Sequence, residues 1–288
     1  MIKFKKTFLC FSVVALIVLT AVQQCFAATY LTSDGFYYLP DDKYNATVYG
    51  CNDNKTELVF PDRLDNYNVR SIADYSFINN GNITSIDFTN AKYLRSVGYL
   101  SFSGCSNVKS IVLPYWINSF DFGSFQNCTA LTQIGLYARV NKITEQCFYG
   151  CSSLTCIDLP DSVKSIERFA FGSCKSLSEV YIPTSVTSIA SNAFRNSPNV
   201  TIKGSYGSYA EEYAKANNIP FNGISAYDVG DVNMDGSIDI LDATLIQKYV
   251  AGIVELSAEQ KYLADYINDG DITVVDATKI QKFIVHLN

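Results

Sequence analysis

Apolar residues recur through the middle of the chain at a fixed interval. Phe77, Phe102, Phe125, Phe148, Phe171 and Phe194 follow one another at steps of 25, 23, 23, 23 and 23 residues. A period in this range is the signature of a solenoid, in which units too small to bury an apolar face alone stack and share one core. Three residues after each Phe, from the second onward, stand Cys105, Cys128, Cys151, Cys174 and Ser197. Three further on come Val108, Leu131, Leu154, Leu177 and Val200, so these are columns of one repeated position. Within a unit the spacing reads Leu154-x-x-Ile157-x-Leu159-Pro160-x-x-Val163-x-x-Ile166-x-x-x-x-Phe171-x-x-Cys174. The alternation Ile157, Leu159 predicts a short strand with one buried face, closed by Pro160, which has no N–H to give a ladder.

Nine cysteines include two near the N-terminus, and the remaining seven are Cys51, Cys105, Cys128, Cys147, Cys151, Cys156 and Cys174. An odd number cannot all pair internally, and no spacing matches a zinc template. The Cys column is read as small buried side chains at close-packed turns, ahead of disulfides or metal. Cys147 and Cys156 fall outside it and receive no role.

In these residues the chain resembles the BspA-like leucine-rich repeats of bacterial surface and secreted proteins, over about 58–221. The segment 35–60, with Gly35-Phe36-Tyr37-Tyr38 and Glu57-Leu58-Val59-Phe60-Pro61, looks like that class's degenerate N-terminal cap. The segment 204–214 is similar to its exit helix, with 219–221 as a last strand.

A different pattern begins beyond residue 222. In 231–242, side-chain oxygens fall at loop positions 1, 3, 5, 9 and 12, on Asp231, Asn233, Asp235, Asp239 and Asp242. Gly236 at position 6 permits a sharp turn, Ser237 at position 7 offers its carbonyl, and Ile238 is the apolar residue at position 8. This is EF-hand spacing for a hard cation, with Asp in place of the customary Glu at position 12. The pattern returns in 265–276 with Asp265, Asp269, Asp271, Thr273 and Asp276. Its position 3 is Ile267, which has no oxygen, so the second calcium site is expected to be weaker unless water or a register shift recruiting Asn268 fills the gap. Helices are predicted over 243–249 and 277–283, and Ser257-Ala258-Glu259-Gln260 has capping-box spacing for a short middle helix.

Two loop–helix halves with no helix entering either loop resemble a type I dockerin, over about 227–287. The resemblance implies calcium-dependent docking to a cohesin domain of a cellulosome scaffoldin. It also implies contact through Ile240, Leu241, Lys248 and Tyr249 in one half, and Val274, Val275, Lys282 and Phe283 in the other.

Charge and the N-terminus complete the picture. Residues 28–222 carry 15 Lys+Arg against 17 Asp+Glu, and 223–288 carry 4 against 11, so the acidity belongs to the tail. With no basic patch to track a phosphate backbone, nucleic acid is not an expected partner. Three lysines among the first six residues, an apolar run over 7–22 and Cys25-Phe26-Ala27 read as a secretory signal peptide cleaved after Ala27, leaving no membrane span. The only histidine, His286, sits beside the C-terminus, which removes His-based catalytic schemes. Asp87, Asp158 and Glu179 are expected on outward strand or turn positions rather than facing across a cleft.

The expected architecture is therefore a leucine-rich repeat solenoid of short strands and turns, followed by a small all-α tandem EF-hand-like calcium module. Its divisions are a signal peptide at 1–27, the capped repeats at 28–222 and the dockerin at 223–288. The expected function is a secreted, non-catalytic adaptor whose repeats bind a protein or cell-surface ligand. The alternatives are plant-polysaccharide binding through Tyr115, Trp116, Tyr137 and Tyr181, whose rings stand near strand ends, and, more remotely, an unrecognised hydrolase.

Overall fold

A computed structural model gives the structure of residues 30–31, 35–52, 54–136 and 139–285. The signal-peptide expectation at 1–27, Tyr137 and His286 fall outside the described residues. The chain divides into two compact units, Met1–Val180 with Ser188–Val200, and Tyr181–Thr187 with Thr201–Asn288.

The first unit opens with β1 (Tyr30–Leu31), β2 (Phe36–Pro40) and β3 (Asn45–Cys51), paired antiparallel. Then come β4 (Glu57–Val59), β5 (Arg63–Leu64) and β6 (Tyr67–Ile72), and β3 joins β6 in parallel. The hairpin buries Phe36, Tyr38, Ala46 and Val48, and so covers the end of the repeat core.

The repeats follow as β7 (Ser85–Asp87), β8 (Ser96–Val97), β9 (Ser110–Leu113), β10 (Ser119–Phe120), β11 (Gln133–Leu136), β12 (Lys142–Ile143), β13 (Cys156–Asp158), β14 (Ser165–Ile166), β15 (Glu179–Tyr181) and β16 (Ser188–Ile189). Each repeat therefore supplies two short parallel strands, where the alternation at 157–159 predicts only one. The second is two residues long, too short for its alternation to register in the sequence. Strands β4, β7, β9 and β11 form one sheet, in which Ile86, Ile111 and Ile134 align. β6, β8 and β10 run on from the cap, and β12, β14 and β16 form a further row.

At the turn of each repeat the phenylalanines stack into a column. Ring centroids lie 4.9, 5.6, 5.7, 5.6 and 5.4 Å apart from Phe77 through Phe194, with planes within 10°. The backbone follows the same step, Phe102 N–H donating to Ser124 O and Phe125 N–H to Cys147 O. Two residues past each Phe the chain adopts positive φ, at Asn79, Gly104, Asn127, Gly150, Ser173 and Asn196. At Gly150 a Cβ would come within 2.2 Å of Asn127 Oδ1, so glycine serves both the turn and the close approach.

In the second unit β17 (Thr201–Ser205) pairs in parallel with β18 (Phe221–Ile224), and α1 (Tyr209–Ala216) lies between them in sequence. Ser208 caps α1, which buries Ala210, Tyr213 and Ala214. The last strand is at Phe221–Ile224 rather than 219–221, because Pro220 has no N–H for the ladder and contributes only its carbonyl, to Ile202 N–H at 2.8 Å. Tyr206 lies over Gly223, where any Cβ would meet its ring at 2.2 Å.

The unit ends in α2 (Ile240–Val250), α3 (Ala258–Ala264) and α4 (Val274–Ile284), all begun by capping boxes. Val232, Ala243, Ile246, Leu256, Leu263, Ala264, Ala277 and Ile280 form their core. Contrary to the expectation that no helix enters either loop, α3 ends with Asp265 as its C-cap, so a short helix does enter the second loop. Its Ser257–Gln260 box and the burial of Leu263 and Ala264 carry it up to the first loop residue. No helix among the described residues is long and apolar enough to cross a membrane.

Candidate functional site

The two C-terminal loops are built alike. In the first, Asp231 accepts Asp235 N–H and Gly236 N–H at 3.1 and 2.9 Å, and Asp242 accepts Asn233 N–H and Asp239 N–H at 2.9 and 2.8 Å. In the second, Asp265 accepts Asp269 N–H and Gly270 N–H at 3.0 and 2.9 Å, and Asp276 accepts Ile267 N–H and Thr273 N–H at 3.2 and 2.9 Å. Position 4 is left-handed in both, Met234 at φ 62° and Asn268 at 54°, and the turn glycines Gly236 and Gly270 share φ 90°. The loops thus keep one register, and Asn268 does not shift into position 3.

They differ at that position. Asn233 Nδ2 donates to Asp235 Oδ2 at 2.8 Å, whereas Ile267 points outward, 37% exposed. Ser237 N–H and Asp271 N–H donate to the position-5 carboxylates of Asp235 and Asp269, and Asp239 and Thr273 cap the helices that follow.

Among the described residues no group of three His, Cys, Asp or Glu side chains stands gathered as a ready metal shell. The donor chemistry nevertheless fits a hard cation. Asp242 and Asp276 are fully buried and Asp231 nearly so, and none of them joins either ion pair found among the described residues. Taking a carboxylate out of water is costly without a compensating positive charge, and two N–H bonds leave lone pairs on each carboxylate unused. A calcium ion held by Asp231, Asn233, Asp235 and Asp242, or by Asp265, Asp269 and Asp276, would supply that charge.

The helices behind the loops carry the expected contact positions. Ile240 and Leu241 are 53% and 57% exposed, and Val274 and Val275 are 55% and 47% exposed, so each half presents a bare apolar pair. Thr244 and Thr278 repeat one another, each hydroxyl donating to a carbonyl one turn back at 2.7 Å. Lys248 and Lys282 are exposed. The halves part at the next residue: Phe283 is exposed, whereas Tyr249 is half-buried with Lys261 Nζ 5.5 Å from its ring centroid. Val250, Ile253, Tyr262 and Val285 are also bare, Ile253 the most at 71%. Sequence reasoning passed over them; the signal was the apolar pair Val250 and Ile253 flanking Gly252, beyond the predicted end of the helix.

On the repeats, Tyr115 and Trp116 stand exposed in the turn after β9, their rings 5.1 Å apart. Tyr181, in the other unit, is the last residue of β15 and is half-buried. The Cys column is buried throughout and unpaired, with burial pushing the Cys105 and Cys174 thiols up to about 12. Cys147 is buried beside the column and Cys156 is exposed.

Parallel-strand repeats stacked on a phenylalanine column, followed by paired loop–helix halves, define a leucine-rich-repeat solenoid joined to an EF-hand-like module. The family described as BspA type leucine rich repeat region matches residues 49–201 in six copies, and the type I dockerin domain matches 229–285. The chain belongs to the BspA-type leucine-rich repeat family and carries a C-terminal type I dockerin.

Among solved structures, the T. pallidum leucine-rich repeat protein is 21% identical with a TM-score of 0.56, over 68% of this chain and 100% of its own. A leucine-rich repeat protein from Eubacterium ventriosum is 25% identical with a TM-score of 0.43, over 56% of this chain and 50% of its own. The first of these shows the fold. No curated protein is similar to the chain at a significant level. Both matched families are non-catalytic; type I dockerins are calcium-binding modules that point to cohesin docking in a cellulosome-type assembly, and the repeats point to protein binding.

Proposed function

We propose that this chain is a secreted, non-catalytic adaptor, with a signal peptide at 1–27, ligand-binding repeats at 28–222 and a dockerin at 223–288. The dockerin attaches it to a cohesin of a scaffoldin, and the repeats hold a protein or cell-surface ligand there. The observation that carries this reading is the doubled arrangement in the tail, where each buried position-12 carboxylate sits directly behind a bare apolar pair, Ile240-Leu241 or Val274-Val275. Calcium at the carboxylates would fix the loop, and the loop sets the start of the helix that presents the pair.

Two ions are expected, the first held by Asp231, Asn233, Asp235, the Ser237 carbonyl, Asp239 and Asp242. The second is expected to be weaker, held by Asp265, Asp269, Asp271, Thr273 and Asp276 without an oxygen at Ile267. Docking would use Ile240, Leu241, Lys248 and Tyr249, or Val274, Val275, Lys282 and Phe283.

The test is capture from a secreted protein fraction with and without calcium. The expected outcome is a cohesin-bearing protein, identified by mass spectrometry, that is retained with calcium and released by chelator. Retention indifferent to chelator would overturn the reading. The exposed Tyr115–Trp116 pair favours a second reading for the repeats, carbohydrate binding.

A further inference from the structure

Side chains from three successive repeats line up as cation, ring, ring, cation. Pro114 opens a turn closed by Ile117 N–H donating to Pro114 O at 3.3 Å, and this leaves Tyr115 and Trp116 on its two corners. They are 48% and 46% exposed, with ring planes at 78°. The neighbouring repeats are tied to this turn through the backbone, Asn118 N–H donating to Arg95 O at 3.0 Å and Arg139 N–H to Ile117 O at 2.8 Å. The Arg95 guanidinium carbon therefore lies 5.9 Å from the Trp116 ring centroid, and that of Arg139 lies 4.4 Å from the Tyr115 centroid.

Arg95 is pinned, because its Nη1 donates to the carbonyls of Lys92 and Leu94 at 2.9 and 3.0 Å. Neither guanidinium joins an ion pair: those found among the described residues are Lys142 with Glu167 and Arg168 with Glu145. Two guanidinium groups without a paired carboxylate thus stand on one face of a chain of formal net charge −6.

We infer that Arg95, Trp116, Tyr115 and Arg139 form a binding site for a carboxylated polysaccharide of the uronate class. The apolar faces of pyranose rings pack on the exposed aromatic surfaces, and their carboxylates meet the two guanidinium groups. A neutral glycan would leave both cations without a counter-charge. An acidic peptide would satisfy the cations but leave the rings bare. A stable protein interface needs about 800 Å² on each side, more than two half-exposed rings supply. The inference rests on the repeats being the ligand-binding part of the adaptor, and names the ligand.

The experiment is calorimetric titration of the full secreted chain, with calcium present, against short galacturonate oligomers, their methyl esters and polyglutamate. Galacturonate is expected to bind, with the esters weaker by roughly tenfold or more because they lose a charge-assisted contact, and polyglutamate weaker by a similar factor because it leaves the rings bare. Trp116→Ala and Arg139→Gln should each weaken galacturonate binding by about tenfold, the first by removing a ring and the second by removing a charge. Equal affinity for the esters or for polyglutamate, no binding at all, or binding untouched by both variants would overturn the site. Calcium-dependent cohesin capture is followed in the same samples: capture kept while uronate binding fails refutes this inference alone, and capture lost refutes the adaptor reading.

Discussion

The Ser197 hydroxyl donates a 2.7 Å hydrogen bond to the main-chain carbonyl of Phe171. One repeat earlier Cys174 Sγ meets the Phe148 carbonyl at 3.1 Å, and Cys151, Cys128 and Cys105 do the same to Phe125, Phe102 and Phe77 at 3.2, 3.3 and 3.1 Å. The Cys column is thus more than small apolar filling. Each thiol satisfies the buried carbonyl of the Phe one repeat back, and serine at the end of the row shows which property the position requires. Ser197 also accepts the Cys174 N–H at 2.9 Å, just as the Cys128, Cys151 and Cys174 sulfurs accept the backbone N–H of the column cysteine one repeat back.

From this follows a graded response to substitution. Cys128→Ser keeps a donor and should cost less than Cys128→Val, which keeps volume but leaves the Phe102 carbonyl with only its bond from Cys105 N–H, at 3.2 Å. The difference should be about 1 kcal/mol, the low end for a buried polar group losing one of two partners. Thermal melting of the two variants measures it, and a valine variant as stable as the serine one would show that the S–H···O contact contributes nothing.

Reactivity should divide the cysteines cleanly. The thiolate is the nucleophile, and burial holds the column thiols protonated and covered, whereas Cys156 is exposed on β13. Brief alkylation of the native protein followed by peptide mass spectrometry should label Cys156 and spare Cys105, Cys128, Cys151 and Cys174. Labelling of the column at a comparable rate would mean that the turns open readily.

The same burial predicts a loss of stability in alkali. Cys105 and Cys174 are pushed up to about 12 in the fold, whereas an unfolded thiol titrates near about 8.5. The folded chain then holds protons that the unfolded chain has released. The thiols' contribution is complete below about pH 8.5 and is lost as pH rises towards 12. Urea unfolding of the repeats should weaken across that window, and Cys105→Ser with Cys174→Ser should flatten the slope. An unchanged slope in the double variant would place the alkaline sensitivity on other groups, such as Tyr213, which burial also raises to about 12.

Much of this was legible in the chain because stacking repeats a single environment. Phe171 and Cys174 announce their burial by recurring every 23 residues, and the fold follows from that period. The second strand, at Ser165–Ile166, was not legible, since two residues cannot display an alternation. The calcium loops were readable from oxygen spacing, because a hard cation dictates ligand positions along a short loop. The α3 entry into Asp265 was not, since the end of that helix is set by tertiary burial of Leu263 and Ala264 rather than by a local stop signal. The Arg95 and Arg139 partners of Tyr115 and Trp116 were hidden for another reason: they are neighbours only through the stacking of repeats.

Chelation should separate the two parts of the chain. The buried carboxylates Asp231, Asp242 and Asp276 belong to the C-terminal loops and helices, and the phenylalanine column owes nothing to them. Chelator should therefore melt the helical module and leave the repeats folded, and a chain truncated at Asn222 should unfold on heating at the same temperature with or without calcium. A large calcium-dependent shift in the truncated chain would reveal metal sites within the repeats.

The last prediction concerns the two halves of the dockerin, which should be partly redundant in docking yet unequal in calcium binding. Their backbone–carboxylate bonds agree within a few tenths of an ångström, and their exposed pairs match in kind, Ile240-Leu241 against Val274-Val275. A half-turn of the module would then present nearly the same face. The match fails at Tyr249, half-buried beneath Lys261, against the bare Phe283, and this biases the choice towards the second half. Replacing Ile240 and Leu241 by Asp should therefore be tolerated, replacing Val274 and Val275 should weaken docking more, and replacing both pairs should abolish it. Calcium ranks the halves in the opposite order, because Asn233 offers an oxygen where Ile267 has none. Asp231→Ala with Asp242→Ala should unfold the module, since metal binding supplies folding free energy, while Asp265→Ala should lower calcium affinity with less loss of helix. Titration against a cognate cohesin and against calcium reads both orders. Complete loss of docking from either face alone refutes redundancy, and tighter calcium binding by the second loop reverses the ranking of the sites.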